Sequence, residues 1–409
     1  MPATVAETSK RPLKILIGVD TFPPDVNGAA TFSARLAAGL VERGHDVRVV
    51  SPAASSKHGY FTETHEGSSF PVWRLFSIRW PTHEWLRFVM PWRSQAHAAR
   101  ILDEFQPDVA HIQSHIVVGR GLTRQAKLRG IPVVATNHFM PENLIEHSPL
   151  PNWLNRWVAK LEWADAAKTY SMVSAVTSPS RKAADFLERE TGITGVHAIS
   201  CGIDASLYTP SFEKRAENRI VFVGRVTSEK HIDVLIRAVA KLDPALDAKL
   251  DVVGGGDLMK DLASLAKQLG IADRVHFTGY VSDAELRAKL TAGSVFVMPS
   301  VAELQSIATL EAMASGLPIV AANAMALPHL VHDGENGFLF EPGNPDDLAE
   351  KLTTVLTMPD EQVMAMKKTS LRYIEPHDIQ RTLSTFEALY RGEPVIDPIT
   401  DASLGEQHS

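Results

Sequence analysis

Met298–Ala322 reads M-P-S-V-A-E-L-Q-S-I-A-T-L-E-A-M-A-S-G-L-P-I-V-A-A. The apolar run Val295–Pro299 that enters it is short and continuous, the pattern of a strand buried on both faces of a parallel sheet. A polar loop carrying Glu303, Gln305 and Ser306 follows. Leu310, Ala312, Met313 and Ala314 are good helix formers, and Gly316 is placed to end a helix there. Pro318 opens a second buried run, Ile319–Ala322. Strand, polar loop, helix, strand is one unit of an open α/β sheet, whose ligands bind in the loops at the carboxyl ends of the strands. Glu303 and Glu311 flank the start of the helix. Its N-terminus offers N–H groups and the positive end of a dipole, which suit an anionic or hydroxyl-rich ligand.

The same pattern recurs on both sides of this stretch. Leu13–Val19 is the first buried strand, Thr21–Ala30 (T-F-P-P-D-V-N-G-A-A) a loop, Thr31–Gly44 a helix and Val47–Val50 the next strand. This is a Rossmann-like start without G-x-G-x-x-G, which argues against a dinucleotide cofactor. Val109–Ile112, Val133–Thr136 and Ala175–Thr177 continue the first sheet, and His138 stands just past the carboxyl end of the second of these. His111 and His115 have no acidic or cysteine partner at metal spacing and read as structural or acceptor-facing. A second series starts at Ile220–Val223, followed by G-R-V-T-S-E-K over residues 224–230. Leu250–Val253 leads to Gly254-Gly255-Gly256-Asp257, and Val275–Thr278 to Gly279-Tyr280-Val281. The expected organisation is a disordered tail at 1–12, one Rossmann-like domain at 13–204, a linker at 205–218, a second domain at 219–376, and a last helix with its tail at 377–409.

With 409 residues, the chain is long enough for two or three cores. One cysteine, Cys201, excludes a disulfide framework and a cysteine-rich zinc site. No apolar span of membrane-crossing length appears, so a cytoplasmic protein with at most peripheral membrane contact is expected. Residues 1–204 hold 22 basic and 19 acidic side chains, the remainder 19 and 29, an asymmetry that fits either different partners for the two halves or a solvated surface. Trp80, Trp85 and Trp92 alternate with arginines between Trp73 and Arg100, a pattern that fits either a membrane interface or an amphipathic helix on a core. Trp153, Trp157, Lys160 and Trp163 form a second such cluster. Net acidity and the lack of a dense basic run argue against nucleic acid.

The Glu303–Glu311 stretch resembles the E-x7-E region of retaining glycosyltransferases of family 4, and the resemblance runs over most of the chain, roughly Leu13 to Ile399. It implies an α/β protein of two Rossmann-like domains facing across a cleft, the GT-B fold, with a C-terminal helix crossing back to the N-terminal domain. It is nearest the glycolipid-synthesising hexosyltransferases. The implied reaction moves a hexose, mannose or glucose, from a UDP- or GDP-linked donor to a lipid or glycan acceptor with retention. Residues 224–230 resemble the family's G-R-x-x-x-x-K donor loop, so Arg225 and Lys230 would stabilise the diphosphate leaving group. Glu303 would lie near the donor sugar hydroxyls and Glu311 on the ribose. His138 resembles the active-site histidine that contacts the transferred sugar. Asn27, Gly28, Gly224, Gly255, Ser306, Ile307 and Ala308 complete the implied donor site, although Ala29 replaces the second glycine of the first loop. Leu304–Thr309 also departs from the family's commoner glycine-rich filling. No essential metal is expected, since Arg and Lys take its place and no Asp-x-Asp ends a strand. A soluble acceptor, a nucleotide-sugar epimerase and a non-catalytic nucleotide-sugar-binding protein are the competing readings.

Overall fold

The structure, a computed structural model, describes residues 11–79, 87–140, 152–213 and 217–395. The chain divides into two compact units, the first holding residues 11–139, Lys160–Thr177 and Glu387–Pro394, the second carried by Ser178–Phe386. The division falls at Ser178, before the expected linker at 205–218. Just beyond it, the Ser180 hydroxyl donates to the Leu304 carbonyl at 2.6 Å, which fastens this segment to the loop that carries Glu303.

In the first unit the strands are β1 (Lys14–Gly18), β2 (Asp46–Pro52), β3 (Gly59–His65), β4 (Ser68–Leu75), the short pair β5 (Ile78–Arg79) and β6 (Arg87–Phe88), then β7 (Val109–Ile112), β8 (Val133–Thr136) and β9 (Ala175–Ser178). The helices are α1 (Gly28–Glu42), α2 (Pro91–Phe105), α3 (Val117–Leu128) and α4 (Asn152–Tyr170), the last belonging to this unit from Lys160 onward. The main sheet runs β9-β8-β7-β1-β2-β4-β3, parallel except for β3. The central strands β1, β7 and β8 are apolar almost throughout and buried, as helices on both faces require.

Three features differ from the reading of the sequence. Helix α1 begins at Gly28, not Thr31, because the Asn27 side chain caps it by accepting the Ala30 N–H at 2.9 Å. The β3–β4 hairpin was not expected. Its two-residue turn, Glu66-Gly67, has φ of 49° and 83°, the mirror-image turn whose twist suits a hairpin. Trp73 and Arg74, in the segment that fits a membrane interface or an amphipathic helix, are interior residues of a strand instead. Trp73 is 4% exposed and packs against Tyr60 in a tilted pair, 4.9 Å between ring centroids. The Arg74 guanidinium grips Glu63 at 2.8 and 2.6 Å, Ser51 Oγ at 3.0 Å and the Pro23 carbonyl at 2.5 Å. Trp163 is buried as well, whereas Trp92, at the start of α2, is 69% exposed. Trp80, Trp85 and the side chain of Trp153 lie outside the described residues.

The second unit contains α5 (Arg181–Thr191), β10 (His197–Ala198), β11 (Arg219–Val223), α6 (Ile232–Lys241), β12 (Lys249–Val253), α7 (Met259–Gln268), β13 (Val275–Gly279), α8 (Asp283–Ala292), β14 (Val295–Met298), α9 (Ile307–Ala314), β15 (Ile319–Ala322), β16 (Gly337–Phe340), α10 (Pro345–Thr357), α11 (Asp360–Tyr373) and α12 (Ile379–Tyr390). The six strands β11 to β16 are all parallel and run β13-β12-β11-β14-β15-β16. Numbered within the unit this is 3-2-1-4-5-6, the doubly wound order with its switch point between the first and fourth strands. One apolar core fills it, from Ile220, Val221 and Phe222 through Phe296 and Val320 to Leu352. The last helix, α12, begins in this unit, and its final residues from Glu387 onward belong to the first.

Candidate functional site

A strand order that reverses between β11 and β14 leaves the loops after those two strands side by side at the carboxyl edge, with no crossover helix covering the gap. Those loops are 224–231 and 299–306, and they are stitched together. The Glu229 carbonyl accepts the Val301 N–H at 3.2 Å and the Ser300 hydroxyl at 3.1 Å. Across the same junction the Lys230 ammonium and the Glu303 carboxylate form a direct ion pair. Arg225 reaches the Glu229 carboxylate at 3.0 Å, and the Thr227 hydroxyl donates to the same oxygen at 2.7 Å. Burial alone would raise the Glu229 pKa, but the Thr227 hydrogen bond and the Arg225 and Lys230 charges outweigh it and hold the carboxyl below its ordinary value. Two cations and two carboxylates therefore meet at one end of the sheet.

The neighbouring loops close in on them. Gly254 has φ of +128°, and a Cβ there would come within 2.0 Å of the Gly224 carbonyl oxygen, so only glycine lets the loop after β12 lie against the loop after β11. Val226 N–H donates to the Gly255 carbonyl at 2.9 Å. The Tyr280 ring rests against Gly255, 2.7 Å from where a Cβ would sit, and is 66% exposed. On the other side, Ser306 caps α9 from a left-handed conformation, φ +78°, with its hydroxyl 2.8 Å from that of Thr309. The N–H groups of Ile307 and Ala308 begin the helix, where no carbonyl of the preceding turn is available to them. Glu303 and Glu311 are 8% and 6% exposed, Glu303 in the loop and Glu311 on α9. The second unit thus gathers Gly224, Arg225, Lys230, Gly255, Glu303, Ser306, Ile307, Ala308 and Glu311 at the carboxyl edge of its sheet or on the helix that leaves it.

Asn27, Gly28 and His138 belong to the first unit. Asn27 and Gly28 open α1, and Phe32 on that helix lies 4.9 Å from the His138 ring, centroid to centroid. His138 Nε2 meets Gln113 Oε1 at 3.0 Å. His111 is wholly buried and His115 packs against Tyr170 and Phe139, which makes both interior residues. Sequence reasoning missed Asp20. Its carboxylate, at the end of β1, accepts the Ser114 hydroxyl and the Val118 N–H at 2.9 Å. It therefore joins the loops after β1 and β7 at the switch point of this sheet. Burial raises its pKa, and the hydrogen bonds from Ser114, Val118 and Gly119 only partly offset this. An acidic residue ending the first strand of such a sheet was the available signal.

Burial keeps three histidines neutral, His111 with a pKa of about 3 and His138 and His377 with about 4. In an unfolded chain each titrates near 6.5. Below that pH the unfolded state binds more protons, so stability falls as the pH drops from roughly 6.5 towards 4. Urea unfolding followed at pH 7.5, 5.5 and 4.5 is expected to give successively lower midpoints, and His377→Asn should flatten the trend. Equal midpoints at all three values would contradict it.

Among the described residues, no three His, Cys, Asp or Glu side chains gather where a metal ion would be held, and no helix is long and apolar enough to cross a membrane. Residues 26–207 match Glycosyltransferase Family 4, and residues 209–372 match Glycosyl transferases group 1. The chain is 32% identical over 283 residues to an MMP alpha-(1->4)-mannosyltransferase of Mycolicibacterium hassiacum, covering 67% of this chain and 68% of that one. It is 30% identical over 286 residues to a sulfoquinovosyl transferase of Arabidopsis thaliana, covering 64% of this chain and spanning only 53% of that relative's length. An alpha-monoglucosyldiacylglycerol synthase of Streptococcus pneumoniae is 25% identical over 366 residues, covering 85% of this chain and 79% of that one. Among solved structures, a sucrose-phosphate synthase of Thermosynechococcus elongatus superposes with a TM-score of 0.76 at 18% identity, over 93% of this chain and 99% of that one. The expected α/β class and pair of Rossmann-like units are borne out, and the chain belongs to the family 4 glycosyltransferases of GT-B fold and is a hexosyltransferase.

Proposed function

We propose that the protein transfers a hexose, mannose or glucose, from a nucleoside diphosphate sugar to a lipid head group with retention of configuration, and that the second unit holds the donor. The observation that carries this reading is the meeting of Arg225, Lys230 and Glu303 at the switch point. As the bond from the sugar to the diphosphate breaks, negative charge grows on the leaving phosphate. Arg225, with its planar fork, and Lys230, as a point charge, are the groups that stabilise it. The N–H groups of Ile307 and Ala308 and the α9 dipole act on the same anion. Glu303 and Glu311 accept hydrogen bonds from hydroxyls of the sugar and ribose. Tyr280 offers an exposed ring face to the base. His138, kept neutral, contacts the transferred sugar, and Asn27 and Gly28 present the start of α1. No carboxylate is assigned as nucleophile. The departing phosphate oxygen takes the acceptor's proton while the acceptor oxygen bonds to the anomeric carbon on the face the phosphate leaves.

A lipid acceptor is supported by the name of the Streptococcus pneumoniae relative and by the surface of the first unit. Tyr60, Phe76, Ile78 and Trp92 are exposed there. Arg93 stacks over Phe76 at 5.5 Å, and beside it His97 has a lowered pKa, first from burial and then from the charges of Arg100, Arg93 and His58. Exposed aromatics among cations suit a membrane interface. A peripheral position on the cytoplasmic face of the membrane is part of the proposal, as is a reaction that needs no metal.

The test is thermal unfolding with UDP-, GDP- and ADP-sugars, each with and without EDTA, followed by transfer of radiolabelled sugar to lipid or to soluble glycans. Binding to the folded state raises the melting temperature by mass action. One nucleotide class is expected to raise it, EDTA to change nothing, and the label to enter the lipid phase. No shift with any sugar nucleotide would remove the donor assignment, and label in soluble product alone would remove the lipid.

A further inference from the structure

His138 and Gln113 leave neighbouring parallel strands, β8 and β7, at the same edge of the sheet of the first unit. A neutral imidazole has one N–H donor and one bare nitrogen acceptor, and its partners decide which nitrogen is which. The partner of His138 Nε2 is Gln113 Oε1, at 3.0 Å. That assignment depends on which end of the Gln113 amide is oxygen, and the other end settles it. The amide nitrogen lies 3.4 and 3.3 Å from the two ring nitrogens of His111. A point that far from both cannot lie in the ring plane without striking a ring carbon, so it lies over the face. An N–H is attracted to an aromatic face, whereas a carbonyl oxygen is repelled by it.

His111 cannot move to suit another arrangement. Its Nδ1 meets the Tyr390 hydroxyl at 2.6 Å, and its Nε2 meets the Thr136 hydroxyl at 2.8 Å, which in turn lies 2.7 Å from that of Thr177. Gln113, His111, Thr136 and Thr177 are all buried. The order of the amide is thus fixed from beneath, and its oxygen faces His138.

We infer that Gln113 is a positioning residue that holds His138 as the Nε2–H tautomer, leaving Nδ1 as a hydrogen-bond acceptor for a hydroxyl of the transferred sugar. Among the described residues, Nδ1 has no hydrogen-bond partner of its own. The part played by the sugar rests on the proposed glycosyl transfer. The tautomer does not, and Tyr390, at the end of α12, supports it through His111.

The test is nitrogen-15 NMR of the histidine rings of the full chain at pH 8, with His138 assigned by its loss in His138→Asn. Wild-type protein is expected to show a bare Nδ1 and a protonated Nε2. In Gln113→Leu both signals should move towards the tautomer average, and kcat should fall about tenfold with the donor KM little changed. Unchanged His111 ring signals and circular dichroism in Gln113→Leu separate loss of the hydrogen bond from misfolding. A protonated Nδ1 in the wild type, or signals unmoved in folded Gln113→Leu, would overturn the inference. If the tautomer responds but the protein transfers no sugar, the functional reading falls and the positioning role of Gln113 stands.

Discussion

Lys230→Ala is expected to lower the transfer rate by about two to four orders of magnitude while the protein remains folded. The ammonium is one of two cations at the switch point and pairs directly with Glu303. A positive charge fixed in a partly dehydrated site stabilises a developing phosphate charge far better than water does, because it needs no reorganisation at the moment of reaction. The same substitution strands the Glu303 carboxylate, which then repels the diphosphate. Two effects therefore act in one direction. Lys230→Ala/Glu303→Gln separates them, since it removes the stranded charge but not the missing cation. It should recover some donor affinity and little of kcat. Lys230→Arg should restore only a fraction, because a planar fork does not replace a compact ammonium at the end of a flexible stem. Initial rates at saturating donor, with circular dichroism as the control for folding, provide the measurement. Activity within threefold of wild type in a folded Lys230→Ala protein would show that the leaving group is stabilised elsewhere.

Arg74→Met is expected to destabilise the first unit by about 3 kcal/mol or more. Arg74 is buried, and its guanidinium satisfies Glu63, Ser51 and the Pro23 carbonyl together. Methionine keeps much of the volume and removes every donor. The principal loss is the pairing of Glu63. Burial would raise the pKa of that carboxyl, but hydrogen bonds from Arg74 and His65 and their charges hold it below its ordinary value, so the folded protein depends on its being ionised. At roughly 2–4 °C per kcal/mol for a unit of this size, the first thermal transition should fall by about 6–12 °C. Removing Glu63 as well should recover part of the loss, because no charge is then left unpaired. The Pro23 contact predicts a second consequence. The loop that leads to Asn27 and Gly28 loses its anchor, so donor KM should rise even at temperatures where the variant is fully folded. A melting temperature within 2 °C of wild type would mean that the Arg74 contacts contribute little.

The fold was legible where the chemistry is local. Buried strands such as Val133–Thr136 and Ile319–Ala322 are continuous apolar runs, and the sequence places their ends where the structure does. The loop 224–230 and the stretch Glu303–Glu311 were found together because both follow such strands. What stayed hidden depends on partners distant in sequence. Trp73 and Arg74 carry the composition of a surface patch, and only the β3–β4 hairpin, with the Arg74 side chain hydrogen-bonded to Glu63, turns them inward. Asp20 carries no local signal because its partners, Ser114 and Val118, lie some ninety residues further on. The start of α1 was misplaced for the opposite reason. Asn27 is a strong capping residue in plain view, but Asn27-Gly28 reads equally as a turn.

Biosynthesis runs from the N-terminus, and α12 makes that direction matter. Arg43 and His45 in the first unit pair with Glu387 at 2.9 and 2.7 Å, and His111 meets Tyr390. At about 5–20 residues per second, a ribosome adds Glu387 roughly 20–70 s after Arg43. For that interval His45 lacks its carboxylate partner and His111 its phenol, while the second unit is being made. The first unit emerges first and is completed last, so a chain stalled or clipped shortly before Glu387 would carry the second unit whole and a first unit that still lacks its closing residues.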